Sequence, residues 1–269
     1  MADKVIKIYA ATDIGTKEDN QDCAGYYSIE GSRMLQEKSA ACEDVISASH
    51  DGCIAVVSDG VSQFRNSSEA SETVVKAMME QFSSFRLLNM NYVARSVHAA
   101  NDWVHQQAEQ NNGYDRAYAA TMSALYLNED LAIAVNVGDS PIFRLRGREL
   151  TLLSETDTKA DQKMRDGLPK EKISESDKHT LTQCMGQWEI TPHVRIEPVE
   201  DHDIFIVMSD WTEDITLLKN RLLTYFDFNT GENPASMLIE YMHRKAEDQS
   251  YIDNSSIIIL YVEETEAVS

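Results

Sequence analysis

Five short motifs along this chain set an aspartate at the end of an apolar run, or in a turn beside one. They are Asn20-Gln21-Asp22, Val56-Val57-Ser58-Asp59-Gly60, Val137-Gly138-Asp139-Ser140, Ile206-Val207-Met208-Ser209-Asp210, and Asp253-Asn254 ahead of Ile257-Ile258-Ile259-Leu260. A hydrophobic strand that ends in a carboxylate pushes a hard oxygen ligand out of the edge of its sheet. Several such ends converging make a site for Mg²⁺ or Mn²⁺, ions that prefer carboxylates, carbonyls and water. A single motif of this kind says little, since Asp-Gly and Asp-Asn are ordinary turn chemistry. Asp210 is harder to read as a turn, because it follows a buried apolar run where a carboxylate without a cation is costly.

The elements that must position these residues follow from periodicity. Val5–Ala11 reads as an opening strand, with a polar turn over Thr12–Asp22, and Ile29–Asp44 is mixed, either a hairpin excursion or a loop. Cys53–Ser58 is a short, buried strand. Ser67-Ser68-Glu69 resembles a helix start, and Ala70, Val74, Ala77, Met78, Phe82 and Phe85 recur at helical spacing. A second helix runs from about Asn91 to Gln110, with Val93, Val97, Ala100, Val104 and Ala108 on one stripe. Strands return at Thr121–Leu127 and Leu131–Val137, then at Ile142–Arg146 and Glu149–Leu153 around a Gly147-Arg148 turn. The polar stretch from Ser154 to about residue 180 reads as a mobile insertion. His193–Pro198, Asp203–Met208 and Ser256–Val262 are further strands, and Lys219–Phe226 and Pro234–Ala246 are helical. The order predicts an α+β fold: two mainly antiparallel sheets sandwiched between helix layers, in one domain over residues 1–269.

Composition narrows the classes of partner. Forty-five acidic against 24 basic residues leave a net charge of −21, which disfavours nucleic acid and anionic membranes and favours cations or basic partners. No run of about 18 apolar residues predicts a membrane span, and Met1–Val5 lacks the start of a secretory signal. The four cysteines form no CxxC pair and read as reduced thiols, and the seven histidines form no HExxH cluster. A cytoplasmic monomer is the expectation.

In order and spacing, the five motifs resemble those of the metal-dependent (PPM, or type 2C) serine/threonine protein phosphatases, over roughly Ala11 to Val262. Ala120-Thr121, Leu181-Thr182-Gln183-Cys184-Met185-Gly186 and Asp201-His202-Asp203 are secondary points of likeness. The resemblance implies a four-layer α-β-β-α sandwich, with the insertion as a flap. It also implies two divalent ions, Mg²⁺ or Mn²⁺, whose bridging hydroxide attacks a phosphoserine or phosphothreonine in line. Asp59 would bridge both ions with the Gly60 carbonyl on one, Asp210 and Asp253 would complete the coordination of the second ion, and Asp22 would act mostly through metal-bound water. Asp139, with Asp210 and Asp214, would match a weaker third site. A phosphorylated protein is the implied substrate, and a Ser/Thr kinase the implied counterpart.

The chain departs from that family pattern at several positions. Lys17 stands where an arginine ordinarily binds substrate phosphate, and lysine supplies charge without the bidentate fork. Val61-Ser62-Gln63 replaces a glycine-rich continuation, Trp211 replaces a glycine, and Pro141 replaces an arginine. These changes motivate two alternatives: a catalytically weakened binding or regulatory module, or a divergent hydrolase of another phosphoryl linkage such as a nucleotidyl-protein bond. His98 and His243 read as helix-face residues, and His50 as part of a turn. None of the cysteines is followed by arginine six positions on, which is against a Cys-x₅-Arg tyrosine phosphatase loop.

Overall fold

A computed structural model describes residues 4–49, 51–84, 90–112, 118–210, 215–228, 231–246 and 250–265. His50, Trp211 and Asp214 lie outside the described residues. The strands are β1 (Lys4–Asp13), β2 (Asp22–Ser28), β3 (Gly31–Leu35), β4 (Ser39–Ser47), β5 (Cys53–Asp59), β6 (Met122–Leu127), β7 (Leu131–Val137), β8 (Ile142–Arg146), β9 (Glu149–Leu152), β10 (His193–Pro198), β11 (Ile204–Met208) and β12 (Ser255–Glu264). The helices are α1 (Ser67–Ser84), α2 (Met90–Asn112), α3 (Lys159–Arg165), α4 (Glu175–Lys178), α5 (Ile215–Phe228) and α6 (Pro234–Lys245).

Two six-stranded sheets, β4-β1-β12-β11-β8-β9 and β10-β7-β6-β5-β2-β3, are antiparallel at every described pairing. Alternation explains why they stack. Successive side chains of a strand point to opposite faces, so Ile6, Ile8, Ala55, Val57, Leu125, Phe205, Val207, Ile258 and Leu260 share a core between the sheets. The intervening residues face outward and need helices to cover them. Ile54, Val56, Met122, Tyr126 and Val135 meet α1 and α2 through Val74, Met78, Val97 and Val104. Ile206, Met208, Ile257 and Ile259 meet α5 and α6 through Leu218, Leu222, Leu238 and Ile239. The predicted four-layer α+β sandwich is therefore present. Its central strands β5 and β11 are buried on both faces, which is why they read as unbroken apolar runs.

Two stretches differ from the sequence-based expectation. Residues 29–44, left open between hairpin and loop, carry β3 and the start of β4, with Asp22–Ser28 pairing as β2 beside them. Both β3 and β4 are edge strands in which exposed residues break up the few apolar ones, so neither shows an apolar run. The insertion after β9 contains α3 and α4. Thr158 caps the first, and a Ser174/Asp177 capping box starts the second. Lys163 pairs with Asp177 at 2.7 Å to join them. Its polarity reflects short, solvent-facing helices held by caps and ion pairs.

Candidate metal centre

The two sheets deliver their acidic ends to the same side of the sandwich. Asp59 closes β5 and is the register partner of Asp22 at the start of β2. Asp139 follows β7, whose last residue Val137 pairs with Met122 at the start of β6, next to β5. In the other sheet, Asp210 follows β11 and Asp253 precedes β12, and those strands pair so that Met208 meets Ile257.

Hydrogen bonds fix these ends more firmly than the ladders alone. The Thr121 N–H donates to the Asp59 carbonyl at 2.7 Å, and the Thr121 hydroxyl accepts from the Asp59 N–H at 3.0 Å. The same hydroxyl lies 2.6 Å from the Ser140 hydroxyl, which ties the Asp59 turn to the Asp139 turn. In the second sheet, the Ser209 N–H donates to the Ser256 carbonyl and the Ser256 N–H to the Ser209 hydroxyl, each at 3.0 Å. Asn254 joins the two halves. Its Oδ1 accepts from the Gln21 N–H at 2.9 Å, and its Nδ2 donates to the Ile14 and Asp19 carbonyls at 2.9 and 3.2 Å. Asn20 adds a donor to the Thr12 hydroxyl and accepts from the Asp22 N–H.

Asp22 is 1% exposed, and neither carboxylate oxygen has a hydrogen-bond partner. Such a group costs several kcal/mol if left charged and alone. Burial pushes its pKa up to about 6, with Ser209 and other nearby polar groups opposing that rise. Burial also raises Asp59 well above the carboxylate range, and Asp22, Asp210, Asp139 and Asp253 each push it further. Asp210 is raised by burial and then by Asp139, Asp22 and Asp253, with Lys17 working against them. Asp139 is pushed up to about 6 by burial, opposed by its own backbone N–H and by His179. These carboxylates share one electrostatic environment, and the repulsion among them is what divalent cations relieve.

Among the described residues, no three His, Cys, Asp or Glu side chains are already gathered closely enough to hold an ion by themselves. Hard cations that keep waters and accept backbone carbonyls do not require such a cage. The unsatisfied oxygens of Asp22 fit a cation or its waters, and the surroundings of Gly60 fit a close backbone approach. A Cβ on Gly60 would stand 2.3 Å from the Ser67 carbonyl oxygen and 2.8 Å from that of Gln21, so only glycine keeps this backbone in place.

Asp253 is the most open member, with its side chain 49% exposed. Lys17 reaches it at 3.1 Å and donates to the Tyr251 hydroxyl at 2.8 Å, with the Tyr251 ring 4.6 Å below. Burial works against the Lys17 charge, but the bonds to Tyr251 and Asp253 outweigh it and hold its pKa above the ordinary lysine value. His98 is exposed on α2. His243 sits on α6 between Asp13 and Ser255. The structure thus groups Asp22, Asp59, Gly60, Asp139, Asp210, Asp253 and Lys17. Sequence reasoning did not find the clamps of Asn254, Ser140 and Ser209, whose only sequence signal is adjacency to the acidic motifs.

Comparison with known proteins places this geometry in context. The chain is 24% identical over 271 residues to the protein phosphatase PhpP of Streptococcus pneumoniae, covering 97% of this chain and all of that one. The fold superposes on the serine/threonine phosphatase PstP/Ppp of Mycobacterium tuberculosis with a TM-score of 0.72, 20% identity and coverage of 97% and 100%. It also superposes on the PstP catalytic domain in complex with two manganese ions, at a TM-score of 0.71, 19% identity and the same coverage. The sequence model of the protein phosphatase 2C family matches residues 32–253, and with most of its length so matched, the chain belongs to that family.

Proposed function

We propose that this chain, a metal-dependent protein phosphatase by family, hydrolyses phosphoserine and phosphothreonine at a centre held by Asp22, Asp59, Asp210, Asp253 and the Gly60 carbonyl. Its ions are Mg²⁺ or Mn²⁺, two in number, with Asp139 and Asp210 contributing to a further, weaker site. The observation that carries this reading is the buried Asp22 carboxylate, with neither oxygen hydrogen-bonded, facing Asp59 across two paired strands. Bound divalent ions neutralise the phosphate dianion and make water acidic enough to supply a nucleophile near neutral pH.

The chain's own residues supply position and charge. Asp59, at the end of a strand whose other residues are all buried, stands beside Asp22 of its own sheet and within the influence of Asp210 and Asp253 of the other. An ammonium has three N–H donors, and Lys17 directs two of them to Asp253 and Tyr251. The remaining donor is free to meet a phosphoryl oxygen, as a point charge where an arginine would grip with two parallel bonds. Asn254 and Thr121 keep the two sheets' loops from drifting apart as charge builds on the substrate.

The substrate is a phosphorylated protein, made by a Ser/Thr kinase, and the enzyme acts in the cytoplasm. No helix among the described residues is long and apolar enough to cross a membrane. Turnover of phosphoserine and phosphothreonine peptides that requires Mn²⁺ and disappears in Asp59→Asn is the expected result. Equal turnover with and without metal, or activity confined to nucleotidyl-protein linkages, would refute the assignment.

A further inference from the structure

Asp157 lies at the base of the insertion, just before α3, and is 3% exposed. Both oxygens of its carboxylate are hydrogen-bonded. Oδ2 accepts from the Gly138 N–H at 2.9 Å and from Gln183 Nε2 at 2.7 Å, and Oδ1 accepts from His193 Nε2 at 2.8 Å. The backbone repeats the connection: the Asp157 N–H donates to the Gly138 carbonyl at 3.1 Å, and the Thr182 N–H donates to the Asp157 carbonyl at 2.7 Å. Both ends of the insertion therefore meet at this residue, one through Asp157 itself and the other through Thr182 and Gln183.

Gly138 is the residue before Asp139. Its φ is +106°, and a Cβ there would stand 2.9 Å from the Thr121 side chain. Thr121 holds Asp59 from the other direction. Gly138 is thus gripped between Asp157 on one face and Thr121 on the other, with Asn136 Nδ2 also donating to its carbonyl at 3.4 Å, and these contacts restrain the freedom that glycine's missing side chain gives.

We propose that Asp157 is a positioning residue: by holding Gly138 it aims the Asp139 carboxylate into the centre, sets the affinity there for a divalent cation, and ties the base of the insertion to that aim. The inference rests on Asp139 serving the metal centre proposed above. A buried carboxylate that orients a ligand through hydrogen bonds affects affinity much as ligand-orienting partners do at other metal sites.

The test is Asp157→Asn in the full chain. Asparagine keeps the shape but turns one acceptor oxygen into an amide that can only donate, so three donors face one acceptor atom. Mn²⁺ binding is followed by calorimetry, beside the Mn²⁺ concentration for half-maximal hydrolysis of an aryl phosphate. Asp157→Asn should weaken Mn²⁺ on both readouts by about ten-fold while KM at saturating metal stays within about two-fold. Asp203→Asn is the control. Asp203 is equally buried and bound by Arg146 at 2.7 Å, at the opposite end of β11 from Asp210, so its loss destabilises without touching the centre. Unchanged Mn²⁺ affinity in Asp157→Asn, or equal weakening in Asp203→Asn, overturns the proposal. Should Asp157→Asn fail to fold, Gln183→Ala removes one bond to the same oxygen and should weaken Mn²⁺ by a smaller factor, and no change there also overturns it. Calorimetry reads the pin independently of turnover: a wild-type protein that binds Mn²⁺ without hydrolysing phosphate defeats the phosphatase reading, not this one.

Discussion

Asp22 and Asp59 stand opposite one another on adjacent antiparallel strands, two carboxylates in one register pair, and the Asp22 oxygens are buried without partners. Like charges placed directly across a ladder destabilise it. Strand pairing forces the two together, so a counter-charge must be part of the working state.

Removing one of the pair separates function from stability. Asp59→Asn is expected to lower kcat by about two orders of magnitude or more, because the group acts only with metal and substrate assembled. The same substitution should raise the melting temperature of chelator-treated protein, since it deletes the carboxylate on which four others converge. A lower melting temperature in the metal-free variant would contradict the repulsion argument.

The pH dependence follows from the same groups. Asp22 and Asp139 have folded-state pKa values near 6, above the ordinary value of 3.8. Between those values the folded protein binds more protons than the unfolded chain, so stability present below the window is lost as pH rises through it. Chelator-treated protein should therefore be more stable, and melt at a higher temperature, at pH 5 than at pH 7.5, with Asp22 contributing on the order of 1 kcal/mol. Mn²⁺ displaces those protons, so its stabilising effect should grow over the same range. Thermal melts at both pH values, with and without Mn²⁺, check the sign.

Gly60→Ala tests the close backbone approach. The added methyl meets main-chain carbonyls of Ser67 and Gln21, not flexible side chains, so the loop itself must move. A cost of about 1–3 kcal/mol is expected, together with a higher Mn²⁺ requirement. Wild-type stability and metal dependence in this variant would show that the loop has slack.

Lys17→Met should raise KM for phosphopeptide by about ten-fold while leaving Mn²⁺ binding intact, because a charge-assisted bond to phosphate is lost and the carboxylates remain. Tyr251→Phe should give a smaller change in the same direction, since it removes only the hydroxyl that steadies the ammonium. Steady-state kinetics on one phosphoserine peptide distinguishes these outcomes from a fall in kcat.

Asn254→Ala should destabilise the protein by about 1–2 kcal/mol, since it leaves the half-buried N–H of Gln21 and the carbonyls of Ile14 and Asp19 without their partner. Denaturant unfolding at saturating Mn²⁺ measures it.

Some of this was legible along the chain because it depends on neighbours in sequence. Cys53–Asp59 and Ile204–Met208 are buried on both faces and so spell unbroken apolar runs, and the carboxylates that end or follow them are visible as motifs. The paired helices α1 and α2 show their 3.6-residue stripe for the same reason. The edge strands β3 and β4 do not, because half-exposed polar strands carry little hydrophobic pattern.

What sequence alone determined is the supply of hard oxygen ligands at strand ends, together with the layers that must bury the strands between them. Only the tertiary structure decided which residues make those ends a site. Asn254 bridging to Gln21, Thr121 joining Asp59 to Ser140, and Asp157 gripping Gly138 are contacts between residues tens to hundreds of positions apart. Hydrogen bonds of that kind depend on distance and angle in space, and local composition encodes neither.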